Sequence, residues 1–152
     1  MNKGHYCALL AIAITSLVLT NFGIAPAFAQ LREAALGVWA DEDGEAWIEI
    51  APCQDKLCGR IVWLKEPLDE NGQPQTDKNN PNPALQSRQI LGLMIMAGLQ
   101  PNAKRTYLEG QVYNAENGKI YEVLLTPKGQ TMEVEGCLMK YICLSQTWTR
   151  VR

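Results

Sequence analysis

"KIYEVLLTPKGQTMEVEGC", residues 119–137, alternates in the manner of two strands joined by a turn. Tyr121, Val123 and Leu125, then Met132 and Val134, share one side, while Glu122, Glu133 and Glu135 share the other, because neighbours along a strand point to opposite faces. "TPKGQ" at 126–130 supplies the glycine that a tight reversal needs. The stretch therefore predicts a hairpin with an apolar inner face and an acidic outer one.

The pattern extends outward from there. Strands are predicted over 37–41, 46–51, 57–64, 91–97, 106–114, 119–126, 132–137 and 142–151, broken by turn sequences such as "DEDG" and "AENGK". No long apolar face of helical period occurs. The class is all-β. Eight antiparallel strands joined mostly by short turns form either an up-and-down barrel or a sandwich, and closure into a barrel removes the exposed edges and leaves a small interior. The exception is the polar segment 65–89, "KEPLDENGQPQTDKNNPNPALQSRQ". A loop of that length in a small domain is commonly functional. A short helical turn is expected after Pro83, and Asx turns with Asp77 and Arg88 would brace the segment as a lid over 68–89.

The N-terminal 29 residues read as an export signal: Lys3, an apolar run over 8–22, and the small-x-small "AFA" at 27–29. The run is short and interrupted by polar residues, so a membrane span is not expected. Residues 30–152 then form one domain, periplasmic or secreted. Four cysteines remain in it, Cys53, Cys58, Cys137 and Cys143, an even number in an oxidising compartment. Three pairings are open. The short separations favour Cys53 with Cys58 and Cys137 with Cys143 as hairpin-end staples, and a ring as small as the first is worth about 2 kcal/mol by loop entropy. Cys137 has the parity of Glu135, and Cys143 that of Ser145 and Thr147, which places both on an outer face.

Composition narrows the chemistry. The sole histidine, His5, lies in the leader, so residues 30–152 offer no histidine base, no Ser/His/Asp or Cys/His pair and no histidine metal ligand. The cysteine spacings miss the usual C-x₂₋₄-C pattern of a zinc site at one or both arms, and the acidic strings "DEDGE" and "DKNN" miss the spacing of a calcium loop. Of 14 basic residues only Lys3 falls in the leader, leaving 13 against 16 acidic ones without a basic cluster. Nucleic acid and anionic lipid surfaces are poor partners for such a chain.

"GVW" at 37–39 and "QTWTR" at 146–150 are similar to the first and last strands of calycin barrels, the lipocalins and their relatives. The resemblance implies that Arg150 packs across Trp39 and closes the barrel bottom, as an arginine stacked on an indole can do. More specifically, "GVWADEDGEAWIEIAPCQDKLCGRIVWLKEP", "DKNNPNPALQSRQILGL", "GQVYNAENGKIYEV" and "GCLMKYICLSQTWTR" resemble a family of exported bacterial proteins catalogued as domain of unknown function 2147. The resemblance implies a lipocalin-like barrel and carries no catalytic residues with it.

The expectation is a non-enzymatic β-barrel without a cofactor that binds a small, largely apolar molecule. Trp63, Tyr121, Val123 and Met132 would line the cavity, and Arg60 would anchor a polar group at its edge. The rival expectation is an envelope protein-interaction module with a filled barrel.

Overall fold

The computed structural model describes residues 27–104, 106–138 and 142–152. Of the expected export signal, residues 1–29, all but the last three lie outside the described residues. A helix, α1 (Ala27–Ala35), precedes eight strands: β1 (Gly37–Ala40), β2 (Ala46–Cys53), β3 (Lys56–Leu64), β4 (Met94–Pro101), β5 (Leu108–Asn114), β6 (Lys119–Lys128), β7 (Thr131–Leu138) and β8 (Ile142–Arg150). Each strand pairs antiparallel with the next, and β1 pairs with β8 through Trp39 opposite Arg150. The result is a closed up-and-down barrel in strand order β1 to β8.

Three departures from the sequence reading have physical causes. Helix α1 was not anticipated; its Leu31 packs against the barrel core beside the fully buried Ala35, so tertiary contact supports a helix too short to persist alone. The fourth strand begins at Met94 rather than at 91, because Ile90 and Leu93 turn instead into a separate apolar cluster with Ile61 under the long loop. It then runs on to Pro101 through Gly98, whose φ of 71° fits the break in register between Ala97 and Gln100. The third departure concerns β2 and β3. Trp47 faces Trp63 and Ile48 faces Ile61, so Val62 is an unpaired bulge. The bulge reverses the alternation, and Trp63, expected on the inner face with Ile61, points outward and is 37% exposed against Trp47, ring centroids 4.7 Å apart.

In β6 and β7 alternation holds. Val123, Leu125 and Met132 are fully buried and Val134 is 7% exposed, with Glu122 facing solvent. The two expected disulfides are formed, Cys53 with Cys58 and Cys137 with Cys143. They staple opposite ends of the barrel, the first at the β2–β3 turn and the second toward the far end of β7–β8.

The end of the barrel beside α1 is closed. Ala35, Trp39, Ile50, Leu57, Leu99, Leu108, Leu125 and Met132 fill it. Across this floor Arg150 lies over the Trp39 ring at 4.1 Å and donates Nη1 to the Leu36 carbonyl at 2.7 Å and Nη2 to the Ala34 carbonyl at 2.6 Å. Trp39 Nε1 donates to the Ala35 carbonyl at 2.9 Å. The last carbonyls of a helix lack intrahelical donors and sit at its negative end, so a guanidinium is well matched to them. Gly37 makes the crossing possible: a Cβ there would meet Arg150 Nη1 at 2.7 Å and the Arg152 carbonyl oxygen at 2.6 Å.

Arg150→Ala should lower stability by about 2–4 kcal/mol, since it removes two charge-assisted hydrogen bonds and a cation–π contact from a partly buried site. Arg150→Lys should restore less than half of that, because an ammonium cannot span both carbonyls. Urea unfolding at constant m-value measures both, and full recovery by lysine would refute the fork as the source of stability.

Candidate binding cavity

Above the filled end the barrel is hollow. A cavity of about 780 Å³ opens between the turn 41–45, the long loop and the β5–β6 turn. Ile48, Met96, Val123, Val134 and Trp148 form its lower surface, all part of the main core, and Ile61, Ile95 and Val112 continue the apolar wall. The rim is polar. Asp41 accepts hydrogen bonds from the backbone N–H groups of Glu45 (2.8 Å) and Ala46 (3.1 Å), fixing its own turn, and Glu45 pairs with Lys65 at 2.7 Å.

Of the residues expected to line a cavity, Tyr121 and Val123 do so. Met132 is fully buried but lies in the closed half, outside the lining. Arg60 is exposed on the outer face opposite Glu49, and Trp63 is turned outward by the Val62 bulge, so neither reaches the cavity. Trp148, outside that expected set, also lines the cavity. Cys143, Thr147 and Thr149 alternate outward, and the complementary set Leu144, Gln146 and Trp148 was therefore available as an inner face.

The long loop is built as a brace across one side of the mouth. Short bridges pair Leu68 with Pro74 and Thr76 with Gln89, and a 3₁₀ turn, Pro83–Leu85, begins where Asn82 Oδ1 accepts from the Ala84 N–H. Its anchor is Asp77, fully buried. Tyr113 Oη donates to Asp77 Oδ1 at 2.6 Å; Asn80 Nδ2 (2.8 Å), Arg88 Nε (2.8 Å) and Arg88 Nη2 (2.7 Å) donate to Oδ2. Asn80 Nδ2 also donates to the Tyr113 hydroxyl at 3.0 Å, so both carboxylate oxygens and the Tyr113 hydroxyl are engaged. Burial alone would raise the Asp77 pKa, but the hydrogen bonds from Tyr113, Asn80 and Arg88 and the Arg88 charge together outweigh it and hold the carboxyl below its ordinary range. Burial, and then the adjacent carboxylate, push the Tyr113 hydroxyl upward. A second tie runs from Asn79 Nδ2 to the Glu116 carbonyl at 2.7 Å. There Gly118, with φ of 69°, lies so close to the Asn79 carbonyl that no Cβ would fit.

The loop contributes Glu66, Gln75, Thr76, Lys78 and Asn79 to the cavity wall, and Ile90 follows it there. Its position over part of the opening is that of the expected lid, and the Asp77–Arg88 pair supplies the expected brace. Among the described residues no buried side-chain polar atom lacks a partner, and no helix is long and apolar enough to cross a membrane.

A family model described as "Uncharacterized protein conserved in bacteria (DUF2147)" matches residues 37–150, and the chain belongs to that family. Among solved structures it is similar to HP1028 from the human pathogen Helicobacter pylori, described as belonging to the lipocalin family. The likeness has 21% identity and a TM-score of 0.64, over 77% of this chain and 82% of that one. At that identity the likeness shows the fold, an eight-stranded lipocalin-like barrel. No curated protein matches. The two disulfides and the bacterial family fit a protein held outside the cytoplasm.

Because the folded Asp77 pKa lies below its unfolded value, its contribution is complete above the ordinary carboxylate range and is lost as pH falls through the folded value. Hydrogen exchange of residues 65–93 should therefore reveal a lid opening equilibrium that is flat from about pH 8 to pH 5 and increases only below about pH 4. Asp77→Asn should cost about 2 kcal/mol at neutral pH, less than for a wholly buried ion pair because Arg88 can turn to solvent, and should flatten the acid response. An unchanged acid response in that variant would assign it to other carboxylates.

Proposed function

We propose that this protein is exported and binds a small, largely apolar molecule in the upper half of its barrel, without acting on it chemically. The observation that carries the reading is the cavity of about 780 Å³ above an apolar floor of Ile48, Met96, Val123, Val134 and Trp148. Its volume falls in the range of roughly 300–1,000 Å³ usual for ligand sites, which are typically apolar with a few polar groups at the edge. Fold likeness to a lipocalin-family protein supports the same reading at the level of architecture.

Several observations favour binding over catalysis. Residues 30–152 contain no histidine. Asp41 and Glu45 at the rim are committed to a turn and an ion pair. The two acids with displaced ionisation, Asp69 and Asp77, are both pushed down, opposite to what a general acid requires. Export is supported by the leader sequence and the two disulfides, and places the protein in the periplasm or medium.

Gly136 offers a clean test, because it lines the cavity and a Cβ added there meets nothing within 4 Å. Wild-type protein should bind an apolar fluorescent probe of the naphthylamine class and, when purified from its own periplasm, carry a small molecule visible in native mass spectra. Gly136→Phe should weaken probe binding about tenfold or more by filling the space, with thermal stability kept, since phenylalanine suits a strand better than glycine. Failure of the wild type to bind any apolar probe, with no molecule co-purified, would defeat the proposal.

A further inference from the structure

We infer that the ligand is a long-chain amphiphile with an uncharged or cationic head group, whose chain runs from the barrel floor along the inner face of the β7–β8 hairpin and out past the rim. This rests on the binding function proposed above and adds the chain length and head charge of the ligand.

The β7–β8 hairpin keeps two chemically distinct faces over its whole described length. Glu133, Glu135, Ser145 and Thr147 occupy the outer face; the inner one carries Val134 and Trp148 low down and Leu138, Ile142 and Leu144 higher up. Low on that face Val134 is 7% exposed and Trp148 5%, but Leu144 is 79% exposed, Ile142 62% and Leu138 37%. Apolar side chains so exposed, on a face that is core elsewhere, mark a contact surface. Continuity says what the surface serves. Gly136 and Leu144 line the cavity between Trp148 and the rim, so floor and exposed face form one largely apolar track, interrupted only at Gln146, whose Oε1 accepts from Trp148 Nε1 at 3.2 Å. From Trp148 to Ile142 the track rises roughly 20 Å at about 3.3 Å per residue, the reach of a long alkyl chain. The opposite side of the mouth is covered by the braced loop, leaving the hairpin side as the way out.

Charge at the mouth selects the head group. Among the described residues lining the cavity, the carboxylates of Asp41, Glu45, Glu66 and Glu116 face one ammonium, that of Lys78. Lys65 offsets Glu45 from outside the lining, and the remaining balance is negative. An anionic head would be repelled there, while a neutral or cationic head would not. These groups are solvated, so the discrimination is modest and salt-dependent.

The test uses disulfide-intact protein and octyl, dodecyl and hexadecyl probes carrying carboxylate, maltoside or trimethylammonium heads, each kept below its micellar concentration. Binding is read by native mass spectrometry and by displacement of the fluorescent probe. Affinity should rise with chain length. At equal chain length trimethylammonium and maltoside should exceed carboxylate by about three- to tenfold at low salt, the trimethylammonium advantage narrowing as salt is added. Replacing both exposed residues, Leu144→Ser with Ile142→Ser, should weaken hexadecyl binding about tenfold and octyl binding less than about twofold. Octyl binding without a gain from longer chains, or a preference for carboxylate, overturns this inference and leaves the binding function standing. If no probe of any kind binds, both fall. Sedimentation supplies the last arm: a change in oligomeric state in the double variant, with chain-length dependence intact, would make the face a contact between copies and overturn the inference.

Discussion

The guanidinium of Arg150 lying on the Trp39 indole is the contact on which the barrel depends. It sits where the first and last strands meet, a seam with only Trp39 opposite Arg150 and Ala40 opposite Thr149 in register. The tails extend that seam slightly, with the Val38 N–H donating to the Arg152 carbonyl and the Val151 N–H to the Val38 carbonyl. Arg150 also caps two carbonyls at the end of α1. One side chain thus holds the seam, the floor and the helix that covers the floor. Planarity matters as much as charge, since the fork must reach two carbonyls while its face stays on a ring.

The two ends of the barrel are built from different physics. The closed end is ordinary core, with large apolar side chains and close backbone approach, as at Gly59, where a Cβ would lie 3.0 Å from that of Met96. The open end is held by polar interactions: the Asp41 turn, the Asp77 cluster and the Asn79 tie. Apolar packing there would have filled the space it was meant to border. A buried carboxylate with four donor contacts keeps a loop in place without occupying the interior, provided that each polar atom is satisfied.

Much of this was legible in the sequence, for reasons visible residue by residue. The alternation at 119–137 gave strand, face and hairpin together, and the spacing of Cys137 and Cys143 matched directly opposed positions on β7 and β8. Asp77 and Arg88 could be placed in one brace because the Asn-Pro-rich loop is too polar for core. Trp63 was placed on the wrong face, because a single unpaired residue, Val62, reverses every side chain beyond it, and no residue type announces such a bulge. Arg60 had no resolvable face for a different reason: "CGRIVWL" lacks a clean polar and apolar alternation. Met132 was correctly turned inward, but pattern along one strand says nothing about depth along the barrel axis, which separates filled core from cavity wall. Helix α1 was missed because a short helix is selected by its docking, here through Trp39 and Arg150, more than by propensity.

The Asp77 cluster carries a kinetic consequence. Hinged covers on binding sites make exchange wait for an opening step, so that arrival and departure slow together. Here the cover is bolted to Tyr113 and Glu116 by groups that stay in one protonation state across the neutral range. Under the proposed binding function a guest would pass beside it, so that entry would need no conformational preface and residence time would be set by how much apolar surface the guest shares with the wall it slides along.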